Sequence, residues 1–208
     1  MVSVITANNR RNYTAQMNGM HRDRKTIFVD TLKWDVPVVD GQYEIDQYDN
    51  ERAIYLLNLD EQRQRHLGSV RLLPSTGPHI LGDIFPMLCD HEVPRGEDIW
   101  EATRLCTAPH LRRREAWLSR SYLAVAMAEF ALLYGIRKYT CVAASWWISS
   151  LMDVGWECEM LGQPKDLNGQ SIGALLIDIT PATLKLFRLK MGWRYPVLEL
   201  DAAIGKAA

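Results

Sequence analysis

The sequence predicts an α/β protein, a single-domain three-layer sandwich in which a mixed sheet is flanked by helices. Two apolar runs, 53–59 and 67–73, are separated by a short polar segment, which indicates a hairpin of two strands. A longer stretch rich in alanine and leucine, 117–134, is typical of a helix. After it, short apolar runs alternate with helical patterns, and proteins with this alternation carry helices on the faces of a sheet.

The elements follow in chain order from the same patterns. Gly135 and Gly155 are placed to end the helices before them, Ser145 to cap the helix that follows it, and Thr180-Pro181 to begin the last helix. The prediction is a surface helix over 8–22, an irregular loop over 34–41, strands over 53–59 and 67–73, a short helix or turn over 81–88, a strand over 98–106, a helix over 117–134, a strand over 139–144, a helix over 145–154, strands over 158–161 and 174–179, and a helix from 180 to about 192.

Length and composition limit the class of protein. The 208 residues suffice for one core, so we expect one domain over 1–208, with a core of about 8–192 and a C-terminal tail over 193–208. The formal net charge of −1 favours neither nucleic acid nor an anionic membrane as a partner. No signal-peptide pattern and no run of about 18 apolar residues occur, so we expect a cytoplasmic protein. The four cysteines lie far apart without a C-x-x-C spacing, which indicates reduced thiols.

Charged and aromatic residues are concentrated before the middle of the chain. Residues 44–49 contain the pattern E-x-D-x-Y-D, and residues 100–104 contain the pattern W-E-x-x-R. The full set is Arg24, Phe28, Trp34, Glu44, Asp46, Asp49, Arg71, Glu101 and Arg104. In this order and spacing, the set resembles the N-acyl-homoserine lactone synthase family, the autoinducer synthases of bacterial quorum sensing. The resemblance is strong over 20–110 and looser from there to about 190.

The resemblance implies an N-acetyltransferase-like fold and a two-step reaction. An acyl group passes from a thioester, carried by acyl carrier protein (ACP) or coenzyme A (CoA), to the α-amine of S-adenosylmethionine (SAM). The SAM carboxylate then attacks its own Cγ, which closes the N-acyl-L-homoserine lactone and releases methylthioadenosine. SAM and the acyl thioester are thus the expected substrates, and neither a prosthetic group nor a metal is expected.

Glu101 is the candidate general base, because the α-amine is protonated in water and must lose a proton before it attacks. Its strand neighbours, Trp100 and Ala102, suggest a partly dry position. The alternative is a structural carboxylate that pairs with Arg104. Positions 101 and 104 point to opposite faces of a regular strand, so both can serve one pocket only if the strand is irregular between them.

An acidic pair is expected to hold the cationic end of SAM. Asp46 and Asp49 match the family's pair, and Glu44 completes the motif; from the residues alone, a solvated turn is the alternative. Asp49→Ala is expected to abolish synthesis and leave the fold intact, because the position reads as a loop. Arg71 lies between apolar neighbours in a strand and requires an acidic partner from this loop, and Arg104 is expected in the same network.

The remaining SAM contacts come from the resemblance. Arg24 is expected to bind the SAM carboxylate, since a guanidinium fork fits that geometry. Phe28 and Trp34 are expected to form a lid over the adenosyl group. A solvated helix face for Arg24 and plain core packing for the two aromatic residues are the alternatives.

The acyl donor is expected to dock on a basic run, Arg112, Arg113 and Arg114, which could bind ACP or the phosphates of CoA. A solvated loop is the alternative. Some relatives carry lysine and arginine on the helix after residue 145, where this chain has Ser149 and Asp153, and this difference weakens the ACP hypothesis.

The acyl pocket is expected at Val142, Ala143, Ala144, Trp146 and Trp147. The paired tryptophans resemble the subgroup that takes branched or aryl acyl groups from CoA, although core packing would also explain them. Relatives that prefer 3-oxo chains often offer a threonine hydroxyl near 143–144. Two alanines stand there in this chain, so we predict an acyl group without a 3-oxo substituent.

Two other functions compete with this hypothesis. A generic N-acetyltransferase using acyl-CoA would place the CoA pyrophosphate on a glycine-containing loop at a helix N-terminus, but residues 110–118 contain no glycine. A non-catalytic SAM-binding regulator would not need the complete set of acids and arginines. Transfer of a methyl group from SAM is disfavoured, because no glycine-rich loop follows a first strand.

Overall fold

The computed structural model describes residues 1–200. The strands are β1 (Val2–Ile5), β2 (Val38–Val39), β3 (Tyr43–Glu44), β4 (Ile54–Leu59), β5 (His66–Pro74), β6 (Ile99–Thr107), β7 (Lys138–Ala144), β8 (Glu157–Met160), β9 (Lys165–Leu167), β10 (Gln170–Asp178) and β11 (Leu198–Glu199). The helices are α1 (Thr14–Arg24), α2 (Ile80–Asp83), α3 (Arg113–Tyr134), α4 (Ser145–Val154) and α5 (Pro181–Met191), with 3₁₀ turns at Arg10–Tyr13 and Pro86–Leu88 and a π-helix at Lys25–Thr31.

The first of two compact units contains Met1–Leu72, Arg104–Met127 and residues 196–200. Its sheet runs in the order β11-β1-β4-β5, with β1 parallel to β11 and the other pairs antiparallel. Tyr55 lies opposite Arg71 in the register of β4 and β5. The hairpin between these strands closes on Asp60, whose carboxylate accepts the backbone N–H groups of Gln64 and Arg65.

The second compact unit contains Leu73–Thr103 and Ala128–Tyr195. The beginning of β6 is parallel to β7, with Glu101 opposite Thr140. Strand β10 is antiparallel to β7, to β8 and to β9. Both parallel and antiparallel pairs therefore occur, as the expected mixed sheet requires.

The predicted helix ends are largely confirmed. Gly135, Gly155 and Gly192 all have positive φ and follow the ends of α3, α4 and α5. Thr180 caps α5 in a capping box with Thr183, and Pro181 occupies the first helical position. The prediction for Ser145 is wrong, because the N-cap of α4 is the preceding residue and the Ser145 hydroxyl instead bonds the hydroxyl of Ser171 at 2.7 Å.

Other differences from the prediction lie near the N-terminus and in β9 and β11, which were not predicted. The expected irregular loop over 34–41 contains β2, which pairs with β3 in a small separate hairpin. Strand β1 and the π-helix were not predicted. The single-domain boundary over 1–208 stays a prediction, and residues 201–208 of the expected tail lie outside the described residues.

No helix within residues 1–200 is long and apolar enough to cross a membrane. No group of three or more potential metal ligands is found in the same described part. The four cysteines, Cys89, Cys106, Cys141 and Cys158, are free thiols.

Candidate active site

Three arginines and three carboxylates form a buried network in the first unit. Helix α1 supplies Arg24 from its last turn, β5 supplies Arg71 and β6 supplies Arg104. The acidic members are Glu44 on β3 and, in the loop that follows, Asp46 and Asp49. With three positive and three negative groups, the network is formally neutral, which is the condition under which charges are tolerated in a protein interior. Five of the six were predicted as site residues from the sequence, and Glu44 was expected only to complete the motif.

Arg24 is buried and pairs with two acids. Its Nε donates to Oε2 of Glu44 at 2.5 Å, and its Nη1 and Nη2 donate to the two oxygens of Asp49 at 2.8 and 2.9 Å. This bidentate geometry is the strongest form of an arginine–carboxylate pair. The structure therefore rejects a solvated helix face for Arg24. Its predicted role as a clamp for the SAM carboxylate stays a prediction, since most of its donors are engaged within the network.

Arg71 and Arg104 both converge on Asp46. Arg71 donates to its two oxygens at 2.6 and 3.0 Å and also lies 2.9 Å from Asp49. Arg104 bridges Glu44 at 3.0 Å and Asp46 at 2.8 Å. Arg104 has φ of +53°, an uncommon value for a residue with a side chain, so β6 is irregular at this position.

Asp49 has the largest number of bonding partners in the network. Besides Arg24 and Arg71, it accepts the Tyr55 hydroxyl at 2.7 Å and the backbone N–H of Asp46 at 2.9 Å. Burial alone would raise its pKa, but the two arginines outweigh burial and hold the pKa well below its usual range. Asp49 lies on a loop, as expected, but its side chain is only 2% exposed, which rejects the alternative of a solvated turn.

His21 and Tyr55 belong to this site and were not predicted. Nδ1–H of His21 donates to the Glu44 carbonyl at 3.0 Å, and the imidazole contacts the Tyr55 ring edge to face. Burial, followed by the charge of Arg24, lowers the pKa of His21 to about 4, so the ring is neutral near pH 7. Tyr55 could have been found from its position opposite Arg71 in the hairpin, whereas no sequence pattern marks His21.

Phe28 and Trp34 form an aromatic pair beside the network. Their rings are stacked, with centroids 4.9 Å apart and an interplanar angle of 12°. The Arg104 guanidinium lies 5.6 Å from the Phe28 centroid, within the range of a cation–π contact. Phe28 is buried and Trp34 is half-buried. The pair thus presents an indole at the surface of a charged site, and its assignment as a lid stays a prediction.

Glu101 lies in the second unit and is completely buried. Its Oε2 accepts the backbone N–H of Ile80 at 2.8 Å, and its Oε1 accepts that of Leu81 at 2.6 Å. These N–H groups begin α2, where helix donors lack partners within the helix. Both carboxylate oxygens are therefore held in place by backbone hydrogen bonds.

The predicted acyl pocket is only partly assembled. Val142 packs against an apolar cluster formed by Leu81, Leu88, Ala174 and the half-buried residues Phe85, Cys89, Val93, Leu161 and Ile172. By strand alternation, Ala144 shares the face of Val142, whereas Ala143 points to the other face. Trp146 is 67% exposed and meets Trp147 edge to face. The sequence therefore assigned too many residues to one pocket.

Thr140 was missed as a candidate for this pocket. It lies on β7 opposite Glu101 and, by alternation, on the face of Val142. It is completely buried, and its hydroxyl has no hydrogen-bond partner within residues 1–200. A hydroxyl is therefore present on this strand, two residues before Val142, although positions 143 and 144 lack one.

The expected basic run lies at the start of α3. Arg113 and Arg114, together with Trp117 and Arg120, line an open depression on the surface of the first unit. Trp117 is 51% exposed, so an indole face is available beside the guanidinium groups. Arg112 is exposed as well, and its backbone N–H donates to the Glu115 carboxylate at 2.8 Å.

Comparison with known sequences gives consistent similarities. A family model described as autoinducer synthase matches residues 8–186. The chain is 30% identical over 193 residues to an isovaleryl-homoserine lactone synthase of Bradyrhizobium diazoefficiens, which covers 92% of this chain and 86% of that protein. It is 31% identical over 166 residues to an acyl-homoserine-lactone synthase of Ralstonia solanacearum, covering 77% and 80%.

Solved structures give the same result. The CoA-dependent acyl-homoserine lactone synthase BjaI, solved with SAM and isopentyl-CoA, has a TM-score of 0.88 and 29% identity, covering 97% of this chain and 93% of that one. The CoA-dependent synthase MesI has a TM-score of 0.84 and 30% identity, covering 95% and 98%. A putative N-acetyltransferase from Lactobacillus plantarum, at 16% identity and a TM-score of 0.57 over 86% and 99%, shares the fold alone. The expected N-acetyltransferase-like α/β fold class is thereby confirmed.

Proposed function

The chain belongs to the autoinducer synthase family, and we propose that it acylates the α-amine of SAM from acyl-CoA and then closes the homoserine lactone. The observation that carries the residue assignments is the neutral network of three arginines and three buried acids, with the stacked pair Phe28 and Trp34 beside it. SAM carries a sulfonium, an ammonium and a carboxylate. Acids and an aromatic face can bind the two cationic groups, and an arginine can bind the carboxylate.

We assign the cationic end of SAM to Asp46 and Asp49, as the resemblance implied. Each is already held by arginines, so their oxygens are fixed in place before the ligand arrives and little ordering is needed on binding. Arg71 and Arg104 organise these acids. Arg24 would bind the SAM carboxylate by exchanging one of its present bonds to Glu44 or Asp49.

Glu101 takes the role of general base. Because both of its oxygens already accept a backbone N–H, proton removal through a water molecule fits this geometry better than direct contact. The amine nitrogen attacks the thioester carbonyl carbon, the C–S bond breaks, and CoA leaves as the thiol. A SAM carboxylate oxygen then attacks Cγ, the bond from Cγ to sulfur breaks, and methylthioadenosine leaves as a neutral thioether.

CoA is the proposed donor, in preference to ACP. The two similar synthases BjaI and MesI are described as CoA-dependent, and BjaI was solved with isopentyl-CoA. Arg113 and Arg114 can pair with the phosphates of CoA, and the exposed face of Trp117 can stack on adenine. We propose a short branched acyl group, bound on the apolar cluster around Val142. The absence of a 3-oxo substituent is inferred from positions 143 and 144 alone, since Thr140 places a hydroxyl on the face of Val142. A cytoplasmic location remains the expectation for an enzyme that uses these substrates and has four free thiols.

A matched donor panel tests this proposal. The purified protein is mixed with SAM and with isovaleryl-CoA, isovaleryl-ACP, butyryl-CoA or 3-oxohexanoyl-CoA, and lactone and methylthioadenosine are measured by mass spectrometry. We expect the highest kcat/KM with isovaleryl-CoA. A higher value with isovaleryl-ACP would overturn the choice of donor, and a higher value with 3-oxohexanoyl-CoA would overturn the choice of acyl group.

A donor that lacks the nucleotide tests whether the basic depression binds CoA. Arg113→Ala and Trp117→Ala should raise the KM for isovaleryl-CoA and leave that for isovaleryl-pantetheine, which lacks the nucleotide, unchanged. Arg137→Ala is the control, because that side chain is 78% exposed and pairs only loosely with Asp98 at 4.0 Å. An equal rise in KM for both donors would show that the CoA nucleotide does not bind on this surface.

A further inference from the structure

The loop before α2 is held by several side-chain bonds to its backbone. Arg95 donates to the carbonyls of Ser75 at 3.0 Å and Gly77 at 3.3 Å. Nδ1–H of His79 donates to the same Gly77 carbonyl at 2.8 Å. The Ser75 hydroxyl donates to the Gly96 carbonyl at 3.1 Å and accepts the Gly96 N–H at 3.0 Å. The side chains of Arg95, His79 and Ser75 thus hold the loop immediately before the two backbone N–H groups that bind Glu101.

His79 is the residue that joins this loop to α2. It is the N-cap of α2 in an extended conformation, and the next two residues, Ile80 and Leu81, donate to the Glu101 carboxylate. His79 is completely buried, and burial lowers its pKa, so its ring is neutral with the proton on Nδ1. The neutral ring donates to the Gly77 carbonyl and so fixes the direction of the chain before α2.

Gly82 provides an independent indication that the loop is tightly constrained. A Cβ built on Gly82 would lie 2.4 Å from Nη2 of Arg95 and 2.7 and 2.9 Å from the His79 ring atoms Cε1 and Nε2. Gly82 lies in a helix without positive φ, where helix propensity alone favours alanine. The side chains of His79 and Arg95 therefore occupy the space that a larger residue would need.

We propose that His79 and Arg95 are positioning residues, which hold the N–H groups of Ile80 and Leu81 on the Glu101 carboxylate and so fix the general base. Gly82 is the residue that makes room for this clamp. The inference rests on the role proposed for Glu101. It assigns to the reaction two residues outside the motifs through which the sequence resembles the family, and neither of them needs to touch a substrate.

The test is steady-state kinetics with SAM and isovaleryl-CoA, together with the melting temperature of each variant. Arg95→Ala and Gly82→Ala should lower kcat by about tenfold or more, because small displacements of a catalytic group cost that much. The KM for SAM should stay within about twofold, since the proposed SAM contacts are other residues. Arg95 is exposed, so its substitution should leave the fold intact. Gly19→Ala, whose Cβ would have its nearest contact at 3.9 Å, and Arg137→Ala are the matched controls and should keep wild-type kcat.

Conservative variants separate positioning from simple loss of structure. His79→Asn retains a donor near the position of Nδ1 and should keep more of kcat than His79→Leu, and Arg95→Lys should keep more than Arg95→Ala. The double variant Gly82→Ala/Arg95→Ala should be no slower than the slower single variant, because both changes break one clamp. Any of three results would overturn the proposal. Folded Arg95→Ala could keep a kcat within twofold of wild type, His79→Asn and His79→Leu could lose kcat equally, or the losses of kcat in the double variant could be additive. Absence of lactone with the wild-type protein would instead refute the proposed function.

Discussion

Asp49→Asn tests the buried network most severely, because it removes one charge while keeping the shape of the side chain. Asp49 accepts two bonds from Arg24, one from Tyr55 and one from the Asp46 backbone, and it lies 2.9 Å from Arg71. The asparagine amide at this position would point its NH₂ group at N–H or O–H groups. Two donors cannot form a hydrogen bond with each other. The two arginines are then left with one acid fewer in a buried site.

The magnitude follows from burial. Breaking a buried ion pair by neutralising one partner lowers the free energy of unfolding by about 3–5 kcal/mol. For a chain of this length, each kcal/mol corresponds to about 2–4 °C, so the melting temperature should fall by about 6–20 °C. Lactone synthesis should also be lost. This differs from the expectation for Asp49→Ala drawn from the sequence, in which the fold was left intact.

The effect should depend on pH in a defined direction. Because the pKa of Asp49 is held well below its usual range in the folded protein, the carboxylate contributes its full stability above the unfolded value of about 4. That contribution is lost progressively as the pH falls below this value. The difference in unfolding free energy between wild type and Asp49→Asn should therefore be largest near pH 7 and shrink in acid.

The assay is urea unfolding of both proteins at pH 7 and at several acidic values, with SAM absent. Asp30→Asn serves as the control, because Asp30 is 48% exposed and pairs with Lys25 at the surface, where such pairs contribute about 0–1 kcal/mol. A loss in Asp49→Asn no larger than in the control, or a loss that grows as the pH falls, would refute this account of the network.

Three further substitutions test other parts of the site. Tyr55→Phe should lower the free energy of unfolding by about 1.5–3 kcal/mol in urea, because its hydroxyl bonds the charged Asp49; an unchanged value would contradict this. Trp34→Ala should raise the KM for SAM more than that for the acyl donor, because Trp34 stacks on Phe28 beside the network, and the reverse result would place it on the acyl side. Thr140→Val should raise the free energy of unfolding by about 1–3 kcal/mol by removing a buried hydroxyl that has no partner in residues 1–200, and a lower melting temperature would argue against it.

Much of the charged network could be predicted because its members are chemically conspicuous in the sequence. Arg71 stands in an apolar strand, where an arginine requires an acid, and the acids of residues 44–49 were the available partners. Tyr55 was missed because a tyrosine in a strand is ordinary core, and only its register opposite Arg71 brings its hydroxyl to Asp49.

The surroundings of Glu101 could not be predicted, because its partners are backbone groups. The N–H groups of Ile80 and Leu81 depend on a four-residue helix, and the sequence leaves open whether this segment is a short helix or a turn. For a similar reason, the sequence assigned too many residues to the acyl pocket. Strand alternation separates Ala143 from Val142, but the choice of the face that meets the apolar cluster is made by tertiary packing.

The most direct test of the central claim is the product balance of wild type and Glu101→Gln with SAM and isovaleryl-CoA. The account predicts one methylthioadenosine for each lactone in the wild type. For Glu101→Gln it predicts almost no turnover, with SAM still bound as measured by calorimetry. Near-wild-type lactone formation by Glu101→Gln, or consumption of isovaleryl-CoA by the wild type without any methylthioadenosine, would contradict it.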